Sequence, residues 1–278
     1  ALFITLGLMR EQAEVYREIR EHGGRVSLTT EAAKSSSSYL FAAPVQLVSD
    51  VTLVVESDVT LTFTNFSANW PTKPGLPSYG AGLSYVPLVY GVGVANAGVA
   101  GGGTIDGRGA MWWHSRPGGY TPGHLIELMW SQHVEVSNLT LTNSPFWTVH
   151  PVYVRGFTAR NLTILNPTSG SKNTDGIDPD STSDVLIEGC YIRTGDDAIA
   201  IKSGWDEYGY DFGMPSIHPL RNHTHARARA CYLLATLLLH LCSSHGAPCV
   251  PCVLQARISP SAIASCRPRA RRWRLARR

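Results

Sequence analysis

Cysteine is scarce where a covalent scaffold would need it. Of the six in the chain, one, Cys190, lies before residue 218. The first 217 residues therefore carry no disulfide framework, and cysteine usage leaves the compartment open. Long apolar runs are missing as well. Residues 1–9 form a nine-residue run and Cys231–Cys242 one of twelve, both short of the roughly 20 residues that cross a bilayer. A complete signal peptide, with a basic start and a small-residue cleavage site, is not visible. The chain does not begin with Met, and its first apolar run reads as the remnant of a longer N-terminus. Acidic residues and lysine stop after Ile217. Up to that point 13 Lys and Arg face 21 Asp and Glu, whereas residues 218–278 carry 11 arginines and no Asp, Glu or Lys. The net charge of +3 thus hides two segments of opposite sign, and such a break separates two kinds of sequence.

What is present begins with helix-compatible Arg10–Glu21, where Val15 and Ile19 share one face. This reads as a short helix capping one end of the fold. Ser35–Ser38 reads as a loop. From Tyr39 onward apolar residues fall on alternate positions, Val45, Leu47, Val51, Leu53, Val55, Val59, Leu61 and Phe63, the period of β-strands. Residues 69–82, rich in Pro and Gly, read as an excursion loop. Residues 86–94 regain strand character, and residues 95–109 are dominated by small turn residues. Three stretches then repeat: residues 134–141, 157–164 and 185–192, with Asn138, Asn161 and Gly189 at equivalent positions. Strand, turn and strand recurring at this period indicate a parallel β-helix, in which each coil buries its face on the next. Asn138, Asn161, Asn65 and Asn222 head N-glycosylation sequons. For the first two, the shared coil position favours an internal ladder of stacked amides.

Chemistry concentrates between Asn173 and Gly213. Asn173-Thr174-Asp175-Gly176-Ile177-Asp178-Pro179-Asp180-Ser181 precedes an apolar strand. Thr194-Gly195-Asp196-Asp197-Ala198 follows it, and Ile201-Lys202-Ser203-Gly204-Trp205-Asp206-Glu207-Tyr208-Gly209 closes the stretch. Asp175 and Asp196 stand about one coil apart, so stacked coils would turn both acidic clusters toward one groove. Crowded carboxylates raise one another's pKa; one can then stay protonated as an acid while another serves as a base, the equipment for cleaving a glycosidic bond. The positions 175, 178 and 180 lack the glycine of a calcium loop.

This ordered string resembles the family 28 glycoside hydrolases, the polygalacturonases and their relatives, and within them the plant-type branch. The resemblance implies an all-β, right-handed parallel β-helix of the pectin-lyase-like kind. It also implies hydrolysis of pectic polysaccharide with inversion, Asp196 acting as general acid while Asp175 and Asp197 activate water. Inversion calls for carboxyl groups roughly 6.5–9.5 Å apart. Lys202, His150, Asn173 and Asp178 are the expected substrate-binding residues, although Lys202 could instead pair with an aspartate and Asp178 could merely cap a turn. Trp112 and Trp113 are read as core or as groove walls.

The resemblance covers about Gly24 to Ile217, and the later family motifs, G-H-G and an R-I-K type, are missing. Residues 1–217 are expected to be a partial β-helix domain. Residues 218–278 are expected to be a basic tail that is not a folded domain, such as read-through or frame-shifted sequence, with low activity as the consequence. Zinc at Cys242, His245, Cys249 and Cys252, and nucleic acid at the arginine-rich end, are open but less favoured readings. The expectation is a secreted, monomeric cell-wall hydrolase acting on polysaccharide without cofactor or metal, nucleic acid or membrane. Two alternatives stand beside it: a rhamnogalacturonan hydrolase, and a degenerate, non-catalytic glycan-binding protein.

Overall fold

The computed structural model describes residues 2–21, 24–29, 37–64, 70–80, 82–115 and 117–219. The expectations for the tail beyond residue 219, for the sequons at Asn65 and Asn222 and for the loop at Ser35 and Ser36 lie outside the described residues.

The chain winds as a right-handed parallel β-helix whose coils contribute strands to three parallel sheets. The first sheet runs Gly24–Leu28, Val51–Val55, Gly98–Gly101, Gln132–Ser137, Arg155–Arg160, Ser183–Glu188 and Ile217–Pro219. The second runs Ser38–Phe41, Thr60–Phe63, Thr104–Asp106, Thr140–Thr142, Thr163–Leu165 and Tyr191–Arg193. The third runs Val45–Gln46, Val89–Val92, Ile126–Met129 and Val149–Val152, and single bridges carry it on through Ile177, Asp180, Ile199 and Lys202. The last strand, Ile217–Pro219, continues the coil stacking across the boundary expected at residue 217.

Alternation along each strand dictates this packing. Inward positions stack in register from coil to coil: Val26, Leu53, Val99, Val136, Ala159 and Ile187 in the first sheet, and Tyr39, Leu61, Ile105, Leu141, Ile164 and Ile192 in the second. The alternating residues from Val45 to Phe63 are all buried. Each fully buried Leu, Val or Phe contributes about 1.5–3 kcal/mol relative to exposure, so these ladders are the principal source of stability.

The corner after the first sheet requires a left-handed backbone. Asn138 (φ 55), Asn161 (φ 53) and Gly189 (φ 63) occupy it on successive coils, and Asn and Gly are the residues that tolerate it. Asn161 donates from Nδ2 to Asn138 Oδ1 at 3.1 Å. A ladder therefore forms, but on an exposed corner rather than inside. At Gly189 a Cβ would lie 2.3 Å from Asn161 Oδ1, so the ladder itself demands glycine there.

Three expectations need correction. The N-terminal helix is a single 20-residue element, Leu2–Glu21, that takes in the apolar run. Val15 and Ile19 bury as expected, while Gln12 ties the helix to the first coil by donating to Ala43 O (3.0 Å) and accepting from Ala42 N (2.9 Å). No described helix is long and apolar enough to cross a membrane. The excursion is not simply a loop: Thr72–Pro74 pairs antiparallel with Leu83–Tyr85. The glycine-rich stretch contains a real strand, Gly98–Gly101, because neighbouring backbones come too close for a side chain. A Cβ at Gly101 would sit 1.8 Å from Val55 O.

Candidate active site

The third sheet carries the site on its outward face. Ile126, Leu128, Val149 and Ile177 point into the core, so Glu127, His150, Asp178 and Asp180 point out. They are nevertheless buried, because two segments lie over them. One is the excursion at residues 70–80. The other is the helix Asp206–Phe212, which packs against the 3-10 turn Pro77–Tyr79. Met129, Val152 and Tyr153 pack with Leu76, Phe212 and Met214 beneath this cover.

The three expected catalytic aspartates meet. One carboxylate oxygen from each of Asp175, Asp196 and Asp197 lies within 4.8 Å of the others. Ile177 bridges to Ile199, which puts Asp175 in register with Asp197 and not, as the spacing implied, with Asp196. Asp196 stands one residue aside and is exposed, whereas Asp175 and Asp197 are buried. Two groups hold the Asp196 carboxylate: the backbone N–H of Asn173 donates to Oδ2 (3.3 Å) and that of Asp197 to Oδ1 (3.0 Å). The trio's oxygens thus approach more closely than the 6.5–9.5 Å expected between carboxyl groups. Adjacent strands stand only about 4.8 Å apart, and that spacing governs the stacked pair.

Lys202 reaches the same cluster, with Nζ 3.6 Å from Asp175 Oδ2 and 3.9 Å from Asp178 Oδ1. Its ammonium also stands 4.2 Å from the centroid of the Trp147 ring, a cation–π contact. Burial pushes the Asp175 carboxyl up to about 6; Lys202 opposes this and Asp196 adds to it. Asp178 is pushed well above the usual range, again by burial and only partly countered by Lys202. Among the described residues, neither Asp178 oxygen nor Asp175 Oδ1 has a hydrogen-bond partner.

Two expected substrate-binding residues are not on the surface. Asp178 is fully buried. His150 is also fully buried, with Nδ1 2.9 Å from Glu127 Oε2 and Nε2 3.4 Å from Asp180 Oδ2. His150 lies beside Asp180, which the covering segments contact, and Asp178 lies beside Lys202. Asn173 is half-buried beside Asp196. Trp112 belongs to the core, edge-on to Tyr85, while Trp113 is half-buried with Nε1–H donating to Ser144 O at 2.8 Å.

His150 is the centre of a buried charged network absent from the sequence reading. Lys73 Nζ stands 2.9 Å from Glu127 Oε1, and His124 Nε2 stands 3.0 Å from Glu127 Oε2. Burial works against the Glu127 charge, but His124, His150 and Lys73 together hold its carboxyl well below the usual range. Burial drives His124 down to about 4, leaving it neutral and donating from Nε2. Burial also works against the His150 charge, yet its bonds to Asp180 and Glu127 prevail and raise it to about 9. Asp180 accepts from the Tyr79 hydroxyl (2.6 Å) and the Gly204 N–H (2.9 Å). Against the pull of burial, His150 and these donors keep its carboxyl low. Tyr79 and Lys73 come from the excursion and Gly204 from the turn before the covering helix, so the network fastens both covers to the sheet. The available sequence signals were His124-x-x-Glu127 and lone polar residues inside apolar strands.

Comparison with known proteins places this geometry. The family described as glycosyl hydrolases family 28 matches residues 42–209. A probable polygalacturonase of Vitis vinifera is 47% identical over 179 residues, covering 61% of this chain and 36% of that protein. An endo-polygalacturonase of Pectobacterium carotovorum subsp. carotovorum is 33% identical over 187 residues, covering 60% of this chain and 46% of that protein. Among solved structures, the polygalacturonase from Erwinia carotovora superposes with a TM-score of 0.60 at 27% identity, covering 74% of this chain and 58% of that one. The chain thus spans between about a third and a half of the length of these curated relatives. Because the matched region takes in more than half of the chain and both aspartate clusters, the chain belongs to the glycosyl hydrolases family 28.

Proposed function

We propose that this chain hydrolyses glycosidic bonds of pectic polygalacturonate. The observation that carries the reading is the convergence of Asp175, Asp196 and Asp197, with carboxylate oxygens within 4.8 Å, beside the Lys202 ammonium. Asp196, exposed and reachable from solvent, gives its proton to the oxygen linking two sugars as that bond breaks. Asp175 and Asp197 orient a water, whose oxygen attacks the anomeric carbon and whose proton passes to one of these carboxylates. Lys202 and Asn173 face the uronate, Lys202 through its charge. Asp178 and His150 act from below, Asp178 on the charge state around Lys202 and His150 on the seating of the covers. No step needs a metal or cofactor. The reading we propose is of a secreted enzyme, acting as a monomer on cell-wall polysaccharide.

The experiment is reducing-end release from polygalacturonate by the full chain and by Asp196→Asn. Loss of a positioned general acid lowers turnover by about 10²–10⁴-fold, with affinity for the polymer largely kept. Unchanged turnover would refute the acid assignment. Cleavage of rhamnogalacturonan in place of polygalacturonate would move the substrate, and binding without cleavage by the unsubstituted chain would favour the glycan-binding alternative.

A further inference from the structure

An acid that works from the edge of the aspartate trio must be held at a fixed distance from its partners. The sheet alone does not set that distance for Asp196. The Gly176 N–H donates to Asp197 O at 2.9 Å, so the ladder of the third sheet fixes Asp175 against Asp197. Asp196 lies one residue outside that register and is exposed. A buried set of uncharged side chains spans the gap. Thr174, immediately before Asp175, is fully buried. Its hydroxyl donates to Ser171 O (2.8 Å) and accepts from the backbone N–H of Gly195 (3.2 Å), immediately before Asp196. Asn166, also buried, clamps the same loop. Its Oδ1 accepts from the Ser144 N–H (2.9 Å), and its Nδ2 donates to Thr148 Oγ1 (2.8 Å) and to Thr174 O (3.2 Å). Its backbone N–H donates to Arg193 O at 2.9 Å, at the end of the strand that leads to Gly195.

We propose that Thr174 is a positioning residue for the cleavage: its hydroxyl fixes Asp196 against Asp175 across two coils, and Asn166 holds Thr174 in place. The proposal rests on the hydrolase reading above for the role of Asp196. Three observations support it. First, the contact joins residues 21 positions apart, each the chain neighbour of one carboxylate of the trio. Second, the seating is tight. A Cβ at Gly195 would lie 2.3 Å from Ser171 Oγ and 2.4 Å from Ser171 O, so the turn before Asp196 rests directly on the loop that Thr174 folds. Third, little else sets the distance. The Asn173 N–H reaches Asp196 Oδ2 at 3.3 Å, at the long end for such a bond. Bonds within the turn, from the Asp197 N–H to Asp196 Oδ1 and from Thr194 Oγ1 to Asp196 O, set its shape rather than its seat. Without the hydroxyl the Gly195 N–H loses its acceptor, and the turn shifts until water or another group supplies one. A displacement of about 1 Å is enough to cost a reaction about 10²-fold.

The test compares Thr174→Val, which keeps the shape and removes the hydroxyl, with Thr174→Ser, which keeps the hydroxyl, both in the full chain. On polygalacturonate the valine variant should lose about 10–100-fold in kcat with KM held within about twofold, and the serine variant should recover most of the loss. Carbon-13 titration of labelled aspartate reads the same geometry without relying on turnover. Burial pushes the Asp175 carboxyl up to about 6; Lys202 opposes this and Asp196 adds to it. Asp175 should therefore titrate lower in Thr174→Val and lower in Asp196→Asn, and adding Thr174→Val to Asp196→Asn should move it no further. The other groups that face Asp175, namely Lys202, Asp178 and Asp197, are the same in all four chains. A merely structural role would lower thermal stability without this dependence on Asp196. If Thr174→Val does not fold, Thr174→Ala removes the hydroxyl with less bulk. Unchanged kcat in the folded variant would overturn the proposal, as would an Asp175 shift that persists undiminished in the Asp196→Asn background. No cleavage by the unsubstituted chain sinks the hydrolase reading and leaves the titration cycle to decide the placement of Asp196, while cleavage indifferent to Thr174→Val sinks the positioning role alone.

Discussion

Replacing Lys202 by Met asks what holds the Asp175 charge in place. The ammonium lies 3.6 Å from Asp175 Oδ2 and 3.9 Å from Asp178 Oδ1, with 11% of the side chain exposed. Two unit charges 4 Å apart attract by about 4 kcal/mol at the effective dielectric near a protein surface. That figure is an upper guide, since a nearby opposite charge commonly lowers a carboxyl pKa by about one to three. Asp175 already titrates near 6 with Lys202 present. Without the ammonium the Asp175 carboxyl should move further up, and the Asp178 carboxyl, already pushed high by burial, should move up with it. Methionine keeps most of the aliphatic stem and removes the ammonium that stands over Trp147, so the change is one of charge more than of volume.

The measurement is a carbon-13 NMR titration of labelled aspartate in the parent chain and in Lys202→Met. Activity that needs ionised Asp175 should rise with pH through about 6 in the parent, and that limb should move upward in the variant. An Asp175 that titrates near 4 in the parent, or that stays put in the variant, would refute the account. A variant with unmoved titration and lower affinity for polygalacturonate would instead make Lys202 purely a substrate contact.

Glu127→Gln removes one carboxylate from a buried cluster and leaves Lys73 and His150 short of a counter-charge; chemical denaturation should show a loss of about 3–5 kcal/mol, and a loss below about 1 kcal/mol would contradict the network. His150 is raised from 6.5 to about 9 in the fold, so its contribution is complete below pH 6.5 and is lost as pH climbs through 9. Thermal unfolding should accordingly show stability falling by about 3 kcal/mol across that window, and a flat profile would remove the charged His150. The stereochemistry of hydrolysis can be read from the first anomer formed, by proton NMR. The resemblance predicts inversion, and net retention would fit the close approach of the carboxylates and turn one aspartate into a nucleophile.

Much of this fold was legible because a β-helix writes its period twice, as alternation along a strand and as recurrence from coil to coil. Val45 to Phe63 displayed the first, and Asn138, Asn161 and Gly189 the second. The strand at Gly98–Gly101 was hidden because its residues are selected for close backbone approach, which has no hydrophobic signature. The N-terminal helix was cut short because Leu2 to Met9, nearly uniform in polarity, shows no helical face. The aspartate trio stood out as a local string. The network around His150 did not, since Lys73, Tyr79, His124, Glu127, His150 and Asp180 span more than a hundred positions and converge only after four coils and two covers are in place.

The contrast between Asp178 and Asp180 shows how far register controls the chemistry. Both are fully buried on the outward face of one strand, two positions apart. Asp180 faces His150 and receives the Tyr79 hydroxyl and the Gly204 N–H, and its carboxyl is held low. Asp178 receives no hydrogen bond among the described residues and has Lys202 at 3.9 Å, and its carboxyl is pushed high. Burial acts on both alike, so the number of donors aimed at each carboxylate decides the sign. His150, the strongest of them, comes from the neighbouring coil of the same sheet, and Tyr79 and Gly204 come from the excursion and the turn before the covering helix. Asp180, held low, keeps His150 charged and the covers seated, while Asp178, pushed high, competes less with Asp175 and an incoming uronate for the Lys202 ammonium. The covers therefore do more than shield the sheet: together with His150 they supply donors to Asp180 and none to Asp178 among the described residues, which leaves the Lys202 ammonium available where the proposed reaction needs it.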